Sequence, residues 1–133
     1  IQLMPTDLPL VIAGKSMGGR VATLLAASDL VPTQVKAGIA FGYPFHPPKK
    51  HRWRTEHFFD LKRPVLVLQG ERDPFGSSDE LAGKSWPLLD IKWLQSGDHD
   101  FSPLKKSGFS QQQLIAQAAN ISRSFINECI LEN

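Results

Sequence analysis

Short apolar runs alternate with helical stretches along this chain. Leu10-Val11-Ile12-Ala13 is apolar at every position, the pattern of a strand buried on both faces. Gly14 to Gly19 is a glycine-rich turn, and Arg20 to Ser28, rich in Ala and Leu, reads as a helix that packs closely through small residues. Pro32 lies just past its end. Val35 to Phe41 reads as a second strand, stopped by Gly42-Tyr43-Pro44. Residues 44–63 carry Pro44, Pro47 and Pro48 with interspersed Lys, Arg and His. They form a long connection of the kind that is often functional, with a short helix within Thr55–Leu61. Pro64 to Gln69 is the clearest strand and is followed by a polar turn at 70–76. A short helix over Ser78–Lys84 has Ser77 or Ser78 as its cap. Ile91 to Leu94 is the fourth strand, and Gly97 to Pro103 the turn after it. Ser110-Gln111-Gln112-Gln113 spells a capping box. It opens a helix whose stripe is Leu114, Ala118, Ile121, Phe125 and Cys129 or Ile130.

The order β-α-β-loop-β-α-β-α predicts an α/β fold: a mostly parallel sheet with helices on both faces and right-handed crossovers. In such sheets ligands bind beyond the carboxyl ends of the strands. The turns after Ala13, Gln69 and Leu94 all lie at that edge. At 133 residues, the chain is one domain's length, 1–133. Its content of 41% hydrophobic and 21% charged residues excludes a disordered or fibrous chain. The 15 basic and 13 acidic residues leave a net charge of +2. With only the short basic stretch Lys49, Lys50, His51, Arg52, Arg54, no nucleic-acid partner is expected. No apolar run approaches a membrane span, so no membrane partner is expected either. The one cysteine, Cys129, excludes an intrachain disulfide and a multi-cysteine zinc site. It also leans toward a reducing, cytoplasmic setting.

The chemistry concentrates in three turns. Gly14-Lys15-Ser16-Met17-Gly18 is Gly-x-Ser-x-Gly between a strand and a helix. There a sharp turn holds serine in a strained conformation with its hydroxyl above the sheet, so φ > 0 is expected at Ser16. The helix N-terminus adds partial positive charge near a developing oxyanion. A phosphate-loop reading needs glycine at position 9, which is Pro9. A nucleophilic serine needs a base, and the base an orienting acid. Asp73 lies in the turn after the third strand and His99 in the turn after the fourth. The chain order is thus serine, acid, histidine at a single sheet edge.

On these residues the chain resembles the α/β-hydrolase superfamily, from the nucleophile-elbow strand onward. Gly-Lys-Ser-Met-Gly-Gly-Arg at 14–20, Gly-Tyr-Pro-Phe-His-Pro-Pro at 42–48 and Gln-Gly-Glu-Arg-Asp-Pro-Phe-Gly at 69–76 resemble small hydrolases related to dienelactone hydrolase. Their branch is the one grouped with the testis-expressed protein thirty family. The resemblance implies Ser16 as nucleophile, Asp73 as acid, His99 as base and the Met17 amide as an oxyanion donor. Further strands and the loop carrying the second donor precede the elbow strand in such hydrolases, and only nine residues precede Leu10 here. The domain is therefore expected to be incomplete at its N-terminus. Its elbow strand should have an open edge, covered by a missing N-terminal segment or by self-association.

Other polar residues have blander readings. Asp98 and Asp100 beside His99 suit solvent or turn caps. Glu71 is a backup acid, and Arg72 pairs at the surface with Asp98 or Glu71. His46, His51 and His57 are spaced five and six apart, unlike metal ligands, so no metal is expected. Arg54 and His57 are candidates to contact an acidic group of the substrate. Arg20 reads as a surface or loop anchor. Two functions follow. The first is a serine hydrolase for a small ester, thioester or related acyl substrate, with no cofactor. The alternative is a non-catalytic interaction domain or inactive fragment that keeps the fold.

Overall fold

The computed structural model describes residues 7–131. Four strands, β1 (Leu10–Lys15), β2 (Val35–Phe41), β3 (Val65–Gly70) and β4 (Leu89–Leu94), pair in chain order β1-β2-β3-β4, every neighbour parallel. Helix α1 (Met17–Ala26) joins β1 to β2, α2 (Ser78–Leu81) lies between β3 and β4, and α3 (Gln111–Leu131) follows β4. Short 3₁₀ turns occupy Glu56–Asp60 and Lys105–Ser107. The first falls within the helix expected at Thr55–Leu61. The second is additional.

Side-chain alternation on β3 divides the core. Val65 and Val67 face Ala26, Tyr43, Phe45, Phe58 and Trp86 on the α1 side. Leu66 and Leu68 face Leu94, Phe101, Leu114 and Ala118 on the α3 side. Every residue of β3 is buried, as a central strand covered by helices on both faces must be. The caps form as spelled. Ser110 and Gln113 exchange backbone–side-chain bonds of 2.8 and 3.1 Å at the start of α3. Ser77 and Glu80 do the same for α2, which spans only Ser78–Leu81 rather than Ser78–Lys84. The α3 stripe buries Leu114, Ala118 and Cys129, with Ile121 and Phe125 partly covered. Ser122 shares that face and donates to the Ala118 carbonyl.

One expectation about burial fails. The apolar run of β1 implies cover on both faces, but Leu10, Val11 and Ile12 are only partly buried and Ala13 is exposed. The reason lies in the sheet order. Among the described residues β1 pairs with β2 alone, and α3 packs over β2, β3 and β4. A groove of about 450 Å³ opens between Phe41, at the end of β2, and Ile115, Ala119 and Ile126 of α3. On the other face α1 exposes Met17, Val21 and Leu24 at 53%, 52% and 43%. Their spacing of four and three places them on one stripe, so the β1 side carries apolar surface on both layers.

Candidate active site

The elbow is built by backbone proximity. Ser16 caps α1 with φ 54 and ψ −119, a left-handed conformation costly for a non-glycine residue. Its N–H donates to the Phe41 carbonyl at 2.9 Å, which ties the turn to β2. A side chain at Gly14 would overlap the backbone of Gly18 and Gly19, so position 14 must be glycine for the helix to leave the strand this sharply. Gly18 is different: a Cβ there would meet nothing within 4 Å. Of the two glycines of the pentapeptide, the first is the one whose own side chain is sterically excluded. The first residue of α1, Met17, belongs to the helical turn whose amides lack intrahelical acceptors.

Asp73 sits in the turn leaving β3 and is fully buried. A buried carboxylate needs donors, and three converge on it. The Phe75 N–H donates to Oδ1 at 2.8 Å, the Gln69 Nε2 donates to Oδ2 at 3.1 Å, and His99 Nδ1 lies 2.8 Å from Oδ2. Gln69, at 0% exposure, is a neighbour of the candidate site that sequence reasoning passed over. Its Nε2 also meets the Tyr43 and Gly76 carbonyls, at 3.0 and 3.1 Å, and its Oε1 accepts from the Tyr43 N–H at 2.8 Å. One side chain thereby ties the turns after β2 and β3 to the carboxylate. The available signal was an amide on the same face as Val65 and Val67, in a strand otherwise apolar.

The turn after β4 brings His99 between the other two. Its Nε2 lies 3.0 Å from the Ser16 Oγ while Nδ1 faces Asp73. With Nδ1 carrying the proton toward the carboxylate, Nε2 is left as acceptor for the serine hydroxyl. Phe75 lies over the imidazole at 4.4 Å between centroids. Gly42, at φ 67, fits beneath it: a Cβ there would come 2.9 Å from the His99 carbonyl and 3.4 Å from the ring. The loop is held by Asp98, whose Oδ1 accepts from the Asp100 and Ser102 N–H groups, each at 2.9 Å. Asp98 is thus the turn cap expected of it.

The remaining candidates fall elsewhere. Asp100 pairs with Lys15 at 2.6 Å, joining the residue before Ser16 to the residue after His99. That hydrogen bond and charge hold the Asp100 carboxyl below its ordinary pKa. Glu71 accepts from the Ser96 N–H at 2.8 Å and is a brace for the β4 turn. Arg72 pairs with neither acid proposed for it. It donates to the Ser96 and Ser102 carbonyls at 2.8 and 3.1 Å, because those carbonyls line the turn it crosses. His46 lies against the Pro47 carbonyl and Glu80, and His57 against Thr23. No group of three or more His, Cys, Asp or Glu side chains gathers as metal ligands would among the described residues.

Arg54 and His57 make no hydrogen bond to Ser16, Asp73 or His99. They stand on the Tyr43 side of the triad, where the Tyr43 hydroxyl donates to the Arg54 carbonyl at 2.6 Å and His57 Nε2 lies 2.8 Å from Thr23 Oγ1. Arg20, read as a surface anchor, is half-buried and leans on the Tyr43 hydroxyl. Burial pushes that phenol up to about 12 against the pull of Thr23, Arg20 and Arg54. Burial first, and then the Arg20 charge, push His57 below its ordinary value.

A parallel sheet with an elbow serine, a buried acid and a bridging histidine at one edge defines the α/β-hydrolase class of fold. The chain belongs to the alpha/beta hydrolase domain family, whose profile matches residues 1–127. The match is to the hydrolase domain and does not single out the narrower branch that the motifs resemble. Solved structures agree on the fold. An alpha-beta serine hydrolase homologue from Coxiella burnetii superposes with a TM-score of 0.56 at 18% identity, over 87% of this chain and 49% of its own. A puromycin-hydrolyzing peptidase from Mycobacterium tuberculosis gives 0.54 at 21% identity, over 86% and 22%. The esterase domain of a Rhodothermus marinus protein gives 0.51 at 19%, over 83% and 59%. The chain thus spans about half the length of the first of these. Among the described residues no helix is long and apolar enough to cross a membrane.

Proposed function

We propose that this domain is a serine hydrolase acting on a small ester, thioester or related acyl substrate. The observation that carries the reading is the single imidazole lying 3.0 Å from Ser16 Oγ and 2.8 Å from Asp73 Oδ2. Ser16 attacks the carbonyl carbon as His99 Nε2 takes its proton. Asp73 fixes the tautomer and stabilises the imidazolium without being protonated itself. The developing oxyanion lies at the N-terminus of α1, where the Met17 amide donates to it. His99 returns the proton to the leaving group. It then activates water, which resolves the acyl-enzyme and regenerates Ser16. This sequence calls on no cofactor. A single amide supplies half of an oxyanion hole. In this reading the second donor, and the strand that pairs with the free edge of β1, come from a further segment of a longer polypeptide. Two facts support that extension: among the described residues β1 pairs with β2 alone, and the chain covers 49% of the Coxiella burnetii hydrolase homologue. A reducing, cytoplasmic setting completes the proposal.

A fluorophosphonate probe tests it. Labelling of Ser16 that disappears in Ser16→Ala and slows strongly in His99→Ala is expected, because an unassisted serine is a weak nucleophile. Labelling that survives Ser16→Ala places the nucleophile elsewhere and ends the proposal.

A further inference from the structure

From the cluster on the Tyr43 side of the triad, we infer that Arg20, Arg54 and His57 form an anion-binding subsite beside Ser16. It selects acyl substrates that carry an oxyanionic substituent, a carboxylate or a phosphate. The inference rests on the serine-hydrolase reading and adds a substrate class to it.

Helical periodicity brings the cluster to the nucleophile. Ser16, Arg20 and Thr23 are spaced by four and three along α1, which puts them on one face. The Arg20 N–H closes the first helical turn on the Ser16 carbonyl at 3.1 Å. Arg20 is thus about 6 Å along the axis from Ser16. Side chains on a helix lean toward its N-terminus, which favours an Arg20 side chain on the Ser16 side of its own Cα. The loop after β2 supplies the rest. Gly42 packs under His99, and the next residue, Tyr43, bonds the Arg54 backbone. Three residues further on, His57 bonds Thr23, which itself donates to the Arg20 carbonyl at 2.8 Å. The triad and the cluster therefore share one wall, residues 42 and 43.

The chemistry of the two arginines points to a ligand rather than a structural tie. Arg63 directs its guanidinium to the Val35, Ala26 and Ser28 carbonyls, and Arg72 to those of Ser96 and Ser102. Among the described residues neither Arg20 nor Arg54 has a carboxylate within ion-pair distance, and Arg20 Nε is buried without a hydrogen bond. The Tyr43 hydroxyl donates to the Arg54 carbonyl, the charges of Arg20 and Arg54 both oppose the effect of burial on that phenol, and two cations without a carboxylate partner favour an anion. The nearby acids are Glu56 and Asp60 on the turn that carries His57. Both are exposed and act on the imidazole.

Two measurements test this. The first compares p-nitrophenyl succinate with p-nitrophenyl acetate as the ratio of kcat/KM. Arg20→Gln and Arg54→Gln are each expected to lower that ratio about tenfold. Arg54→Lys should recover part of it, since the charge remains while the fork is lost. Arg20→Lys serves in the same way if Arg20→Gln fails to fold. The second follows the His57 ring proton by NMR through a pH titration and does not depend on turnover. Succinate or inorganic phosphate should raise the His57 pKa toward its ordinary value, and the response should vanish in the arginine variants. Whichever anion acts at the lower concentration identifies the substituent as carboxylate or phosphate. An unchanged ratio, or a His57 pKa indifferent to both anions, overturns the subsite while fluorophosphonate labelling of Ser16 leaves the hydrolase reading standing. If Ser16 is not labelled, the hydrolase reading falls, and the NMR titration by itself decides whether the anion site exists.

Discussion

β1 and β3 are spelled almost alike, each with four apolar residues in a row, yet they end in opposite environments. β3 is buried at every position and lies between β2 and β4. β1 is nowhere fully buried and has a neighbour on one side only among the described residues. An apolar run therefore records how much cover a strand requires, not whether the cover is present. The contrast bears on chemistry because each strand delivers a residue of the proposed triad. Ser16 hangs from the open strand and Asp73 from the enclosed one.

The sharpest break of that contrast is at Asp73. Asp73→Asn is expected to lower kcat by about 10⁴-fold, because an amide beside Nδ1 favours the wrong imidazole tautomer. A steady-state assay with p-nitrophenyl acetate reads the loss. Next comes packing. Leu68→Ala, in the enclosed strand, should cost about 2–5 kcal/mol, whereas Ile12→Ala, in the open one, should cost about 1 kcal/mol. Urea unfolding at a constant slope measures both. Equal losses would mean that β1 is as well covered as β3.

A weaker effect is expected with pH. The fold holds His57 below its ordinary pKa, so it favours the neutral ring. The stability this linkage contributes is complete above pH 6.5 and is lost as pH falls through the lower folded value. Thermal midpoints measured from pH 8 to 5 should therefore fall less steeply in His57→Gln than in the unaltered chain. The smallest effect is expected at Lys15. Its pair with Asp100 is exposed at both ends, 63% and 61%, and such pairs contribute little. Lys15→Ala should leave the unfolding midpoint unchanged and return the Asp100 carboxyl toward its ordinary pKa, read by NMR.

Much of the site was legible because its parts are local. The glycine at 14, the serine at 16 and the strand on one side with a helix on the other are all fixed within a few residues. Short-range sterics then compel the positive φ at Ser16. The capping box at Ser110 was legible for the same reason, since it closes over three residues, whereas at Ser77 only a cap shared with Ser78 was read. Asp73 and His99 were found as exits of separate strands, and the parallel topology brings such exits to one edge. Gln69 was missed because its partners, Tyr43 and Asp73, come from different turns. Arg72 was misassigned because opposite charges were nearer in sequence than the carbonyls it bonds in space.

By itself, the sequence determined the alternation of strands and helices, the elbow and the order of serine, acid and histidine. All of these follow from backbone sterics and hydrophobic period over short stretches of chain. The assembled fold supplied what no single segment could: one imidazole within hydrogen-bond reach of both Ser16 and Asp73, and the Tyr43 hydroxyl against the Arg54 carbonyl. Those outcomes depend on which strands lie side by side and on where a loop of some twenty residues folds back. Each is a long-range contact whose free energy belongs to the assembled core and not to any segment of the chain.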